Sequence, residues 1–305
     1  MLRHSVAADV MEQAGLLSAW EQTYTQMSPG RFEGTIVEVD VGGMKLARER
    51  MNVSVHHVAT PMDGWVGFTF PVDRDKLRYL DWRHRMPSKS VVMTHDKIYH
   101  GLTTQDSDVV IYSVPIELLR SHLHDLKVDA GPLLQHQIVL SSDFIEYGLW
   151  VIDTAKDGLD TQSAAAAQST ILDYFATAVC NADALLAGAS SWRADRQTAV
   201  TKACASAYAS GLGDASLSTM CEASGVSLRV LQQAFKEVMG MPPIKWLRMA
   251  RLNAVRQALR DRTCSSVTQV AMDYSFYHLG RFSAEYKKLF HEAPNWTMAR
   301  RAITG

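Results

Sequence analysis

The sequence indicates an α+β fold, with a β-rich segment first, a run of helices next and an all-helical C-terminal part. Three features support this. Short runs of β-branched and aromatic residues recur between residues 31 and 114, broken by turn signals such as Gly42-Gly43 and Pro61-Met62-Asp63-Gly64. After Pro115 the texture becomes helical. Residues 216–236 and 266–287 then carry one pattern twice: Ser216 matches Ser266, Met220 matches Val270 and Val226 matches Phe276. After one extra turn residue in the second copy, Leu231 matches Phe282 and Phe235 matches Tyr286. Each copy reads as a short helix, a tight turn and a longer helix.

Taken in order, residues 6–27 are expected to form a helix that stops at Ser28-Pro29-Gly30. Strands are expected over 35–41, 53–58, 65–70, 90–94 and 108–114; short strands at that spacing build a sandwich or barrel. Helices follow over 116–126, 132–153 and 163–186, the last favoured by the alanine run at 164–167. The small residues at 187–191 mark a linker. It divides the chain into residues 1–190 and 191–305. In the latter, helices are expected over 194–209, 218–224, 228–239, 242–259, 267–274 and 278–290, with a last one from Asn295. Pro243 suits the start of its helix, where the amide has no helical partner.

Length and composition agree. A chain of 305 residues suggests two domains. No apolar run approaches the roughly 20 residues that cross a bilayer, and the first residues lack a signal peptide's apolar stretch. The four cysteines are scattered without Cys-x-x-Cys spacing, as expected of reduced thiols in a cytoplasmic protein. Residues 191–305 hold 16 Lys/Arg against 8 Asp/Glu, whereas 1–190 hold 15 against 24. A basic C-terminal third on an acidic remainder suits a DNA reader joined to a part that does not touch DNA.

A helix, tight turn and second helix is the unit that lays its second helix in the DNA major groove. Gly225 stands where the turn demands positive φ, and Ser227 suits the N-cap that follows. The outward face of the first recognition helix offers Arg229, Gln232, Gln233 and Lys236; that of the second offers His278, Arg281 and Lys287. Arg matches guanine O6/N7 and Gln matches adenine N6/N7, while Lys positions the protein on phosphates. The partner implied is double-stranded DNA.

These residues resemble a family. The double motif, Phe235-Lys236 with Met239-Gly240 and Pro242-Pro243, Arg251-Leu252 with Ala254 and Leu259, and Phe282 with Tyr286-Lys287, Phe290 and Pro294 look like the AraC/XylS regulators over about residues 199–300. Ser275 and His291 stand where such proteins usually carry glycine, and Ala284 where arginine is frequent. The resemblance implies a cupin-like β-barrel with helices before the DNA-binding part. It also implies an activator that works with RNA polymerase, a homodimer and a small-molecule effector.

On that reading, His56, Trp65, Phe68, Phe70, Trp82, Arg83 and Tyr112 are the candidate effector-binding residues, and Leu172, Phe175 and Val179 the candidate dimer contacts. A metal centre, a cofactor and enzymatic activity are not expected. His56 and His57 are adjacent and point to opposite faces of a strand, so no His-x-His ligand set exists. The alternative to an effector is control by a protein partner or by concentration.

Overall fold

The computed structural model describes residues 2–73, 77–79, 89–94, 97–128, 137–139, 142–180, 191–261, 264 and 266–300. The N-terminal part contains two sheets. One runs β1 (Leu2–Ala7), β3 (Gly34–Val41), β4 (Met44–Met51), β10 (Ser107–Pro115), β6 (Trp65–Pro71), β8 (Lys89–Thr94) and β11 (Gln137–Val139) in spatial order. The other runs β2 (Trp20–Gln26), β5 (Val55–Pro61), β9 (Tyr99–Thr103) and β7 (Leu77–Tyr79). Among the described residues every strand pair is antiparallel, for example Val110 opposite Arg48 and Phe70.

Strand alternation sorts the side chains into layers. On the larger sheet Val66, Phe68, Phe70, Val110, Tyr112 and Val114 face outward. There they meet α2 (Ile116–Asp125), α3 (Ser142–Thr154) and α4 (Thr161–Cys180) in one apolar cluster. Their neighbours Val109 and Ile111 face inward and pack with Trp20 and Tyr99 of the smaller sheet. Trp20 also donates through its indole N–H to Ser113 Oγ across the gap, at 2.8 Å.

The helix expected over 6–27 is instead β1, the short helix α1 (Val10–Ala14) and β2. Asp9 caps α1 by accepting from Met11 N, and Gly15 ends it. Beyond Gly15, Trp20, Gln22 and Tyr24 alternate with Glu21, Thr23 and Thr25, and tertiary pairing with β5 overrides the helical reading. The linker at 187–190 lies outside the described residues.

The C-terminal part is helical: α5 (Ser191–Ala209), α6 (Leu217–Ser224), α7 (Leu228–Val238), α8 (Pro243–Arg260), α9 (Val267–Asp273), α10 (Leu279–Phe290) and α11 (Pro294–Arg300). This part packs on the outer face of the smaller sheet. Leu102 and Met27 join its core. The fully buried His56 ring lies against Tyr208 of α5 and Trp246 of α8, at 6.4 and 5.8 Å between centroids. The Asn253 side chain accepts from Gln26 N at 2.9 Å and donates to Gln26 O at 3.0 Å. Gly30 N and Gln26 Nε2 both donate to Leu289 O, at 3.0 Å each. Arg256 of α8 donates to Asp9 at 2.6 Å and to Glu292 at 2.5 Å.

Candidate nucleic-acid interface and effector cavity

Each helix pair is built by local capping. Ser216 opens α6 in a reciprocal cap with Thr219. Gly225 closes α6 at φ 70°, where a side chain would be strained. Ser227 then caps α7 through Val230 N. Met220, Leu231 and Phe235 are buried, with Phe235 edge-on to Trp246 of α8 at 5.9 Å. Arg229, Gln232, Gln233 and Lys236 are all exposed. Gln233 donates to Glu237 at 3.2 Å.

The second pair follows the same plan with harder turns. Ser266 caps α9 through Gln269 N. Ser275 takes φ 63° where glycine is the easy choice, and its hydroxyl donates to Gly213 O at 2.8 Å. His291 ends α10 at φ 53°. Phe276, Phe282 and Tyr286 are buried; His278, Arg281 and Lys287 are exposed. Arg281 donates to Glu285 at 2.9 Å, and Glu285 also receives Arg248 of α8. Arg251 of α8 anchors the loop before α6, donating to Leu212 O, Gly213 O and Ala215 O at 2.9, 3.1 and 2.7 Å. The two pairs are therefore fastened to one rod.

A cavity of about 50 Å³ lies between the two sheets. Trp20, Gln22 and Tyr24 of β2, Glu49 of β4, His57 of β5 and Tyr99 of β9 are among its walls. Glu49 is only 2 % exposed, yet no cation pairs with it among the described residues. It accepts from Tyr24 Oη at 3.1 Å and from Gln13 Nε2 at 3.0 Å. Burial pushes its carboxyl up to about 7, against the lowering effect of those two donors. Burial also drives His57 down to about 3, so that ring is neutral. Tyr24 is pushed well above its ordinary value, first by burial and then by Glu49. The residues that hold Glu49 sit on the elements that touch the helical part: Gln13 is in α1, capped by Asp9, and Tyr24 is next to Thr25, which bonds Tyr208 Oη at 2.7 Å.

Residues 220–300 match the family model described as a helix-turn-helix domain. Over 86 residues the chain is 37 % identical to XylDLEGF operon transcriptional activator 2 of Pseudomonas putida, a match covering 28 % of this chain and 55 % of that one. Over 73 residues it is 37 % identical to the probable thc operon regulatory protein of Rhodococcus erythropolis, covering 23 % and 22 %. A solved AraC-type DNA-binding regulator from Chromobacterium violaceum is 30 % identical, covering 36 % of this chain and 96 % of that chain, with a TM-score of 0.33. The chain belongs to the AraC/XylS family of transcriptional regulators. That family consists of regulators, not enzymes. The chain spans little more than half of the first relative's length. The AraC-like activator CuxR superposes with a TM-score of 0.41 at 14 % identity, covering 82 % and 94 %.

Within this AraC/XylS regulator the sequence-chosen effector residues do not converge on the cavity. Phe68, Phe70 and Tyr112 lie on the opposite face of the larger sheet, packed under α3 and α4. The position between the two phenylalanines, Thr69, is the one that lines the cavity. Trp65 packs beside the inner core but is not among the lining residues. His56 points toward the helical part, and its neighbour His57 lines the cavity. Trp82 and Arg83 lie outside the described residues. Leu172 and Phe175, expected at a dimer contact, are buried within their own chain, and Phe175 stacks on Phe68 at 3.9 Å. The apolar side of α4 is satisfied by the larger sheet; the side chain of Val179 lies outside the described residues. Among the described residues no group of three His, Cys, Asp or Glu could hold a metal ion. No helix there is long and apolar enough to cross a membrane.

Sequence reasoning missed Gln13, Tyr24 and Glu49. The expected helix over 6–27 hid the alternation of β2, and Glu49, between Arg48 and Arg50, reads as one charge in a solvated run.

Proposed function

We propose that the chain is a sequence-specific transcription activator of the cytoplasm. It reads two successive major grooves with two helix-turn-helix units, α6–α7 and α9–α10. The observation that carries this reading is the pair of helix units, each opened by a serine N-cap, whose second helices expose Arg229, Gln232, Gln233, His278 and Arg281, on one rod, in a segment with twice as many basic as acidic residues. At 1.5 Å per residue the 18 residues of α8 give a rod of about 27 Å. That length suits recognition helices set one turn of B-DNA apart, roughly 34 Å.

Residues 1–190 are the sensing and dimerisation part, 191–305 the DNA-binding part, and RNA polymerase the partner in activation. Dimer contact falls to a surface other than Leu172 and Phe175; the exposed Trp150 of α3, stacked on Tyr147 at 5.6 Å, offers an aromatic one. An effector in the cavity controls DNA binding, because Gln13 and Tyr24, which grip Glu49, belong to the elements docked on α8 and α5. Control by a protein partner or concentration is the second reading, favoured by the small size of the cavity.

Selection of operator fragments from random duplex DNA by the full-length protein tests the central reading. Enriched sequences with two half-sites about one helical turn apart support it, and a single half-site contradicts the tandem assignment.

A further inference from the structure

We infer that the cavity between the two sheets takes a small organic cation, with a primary ammonium head held by the Glu49 carboxylate and walled by Trp20, Tyr24 and Tyr99. This inference rests on the effector reading above and names the chemistry of the effector.

The charge at Glu49 is unbalanced. A carboxylate removed from water is stable only when paired or protonated. Glu49 is buried at the cavity wall, and its donors are both neutral: the Gln13 amide and the Tyr24 hydroxyl. Arg48 and Arg50 flank it on β4, but alternation sends them to the other face, where both bind Asp108, at 2.6 and 3.2 Å. The other titratable groups around the cavity are Tyr24, His57 and Tyr99. His57 is held neutral by burial, so it supplies no positive charge. A cation from outside is the missing partner.

The walls suit that partner. Aromatic faces attract ammonium groups through the ring quadrupole, more strongly where water is excluded. Gln22 and Thr103 add polar atoms to the lining. One water needs roughly 10–15 Å³ of such space, so a cavity of about 50 Å³ admits a small head of a few heavy atoms. An anionic head would stand beside a carboxylate with no cation to receive it.

Binding must ionise Glu49. A protonated Glu49 gives its proton to solvent as the ammonium enters, and charge balances. With its carboxyl pushed up to about 7, Glu49 goes from mostly protonated at about pH 6 to mostly ionised at about pH 8, so affinity for a cation should rise about tenfold across that range.

The test titrates the full-length protein with methylammonium chloride, with sodium chloride as the ionic-strength control. Saturable heat and a raised melting temperature are expected, with affinity rising about tenfold from pH 6 to 8. Glu49→Gln, which keeps the shape and removes the charge, should abolish both. Tyr24→Phe, which keeps the ring and one fewer donor, should weaken binding without abolishing it. A methylammonium response equal to that of sodium chloride, or undiminished in Glu49→Gln, overturns the inference. Benzoate serves as the contrasting probe. If benzoate binds and shifts operator affinity while methylammonium is inert, the cation assignment fails and effector control stands. If neither probe changes melting temperature or operator affinity, both fail.

Discussion

Arg256 is the charge that joins the two parts of the molecule, and its removal has a calculable cost. Its side chain is 10 % exposed and that of Asp9 is 2 % exposed, with Nε and Oδ2 2.6 Å apart. Burial works against the charged guanidinium, but Asp9 restores it and the net direction is upward. The group also lies 4.7 Å from the centroid of the Phe290 ring. Arg256→Met keeps the aliphatic stem and strands Asp9, whose remaining cation, Arg260, is 42 % exposed and 3.2 Å away. Breaking one side of a buried pair costs about 3–5 kcal/mol, and the surviving Arg260 contact places this case near the lower figure. Asp9→Asn retains an N-cap for α1, so its loss reports the charge alone. Urea unfolding of the wild type, both single variants and the double variant of the full-length protein gives the coupling energy. A value of about 2 kcal/mol or more is expected. Additive losses, with coupling below about 0.5 kcal/mol, would refute the reasoning that this pair fastens the helical part to the sheets.

Further expectations concern the site, the strained turns and the core. Arg229→Ala should cost about 1–3 kcal/mol on the cognate operator and much less on random DNA, while Lys287→Ala should weaken both alike; fluorescence anisotropy on the two DNAs separates them. His291→Gly should stabilise the protein by about 1 kcal/mol in thermal melts, because His291 holds φ 53°. Phe175→Ala should cost about 3–5 kcal/mol and leave the sedimentation behaviour of the folded protein unchanged, since its ring lies in the core of its own chain. Glu49 has its folded value raised from 4.5 to about 7. Its contribution to stability is therefore fully present below pH 4.5 and lost as pH rises through about 7, a fall of about 3 kcal/mol that Glu49→Gln should flatten. His57 has the opposite sign: its folded value is depressed from 6.5 to about 3, so its contribution is present above 6.5 and lost as pH falls through about 3.

The helical part was legible because its signals are local. Ser216, Gly225, Ser227 and Ser266 each fix one helix end through their own backbone neighbourhood, and Gly225 and Ser227 occupy the turn and N-cap roles expected of them. Ser275 and His291 likewise hold the positive φ that glycine usually serves. The β-rich part was legible only as strands. Which face of a strand meets the cavity depends on a partner sheet far away in sequence, so Phe68 and Phe70 looked like pocket residues where Thr69 is. The α4 stripe of Leu172 and Phe175 has the same ambiguity, since an apolar face records burial without recording which surface buries it. Asp9 and Arg256 stand 247 residues apart, and no local pattern announces that contact.

Titration of full-length protein onto its selected operator across a range of salt concentrations tests the central claim most directly. Phosphate contacts from exposed residues such as Lys236 and Lys287 in the basic C-terminal third predict affinity that falls steeply with salt, by about 10³–10⁵ between about 50 and 200 mM for a protein making roughly six to ten such contacts. Affinity that stays level over that range, or no preference for any duplex sequence, would contradict the assignment of α7 and α10 as helices that read DNA.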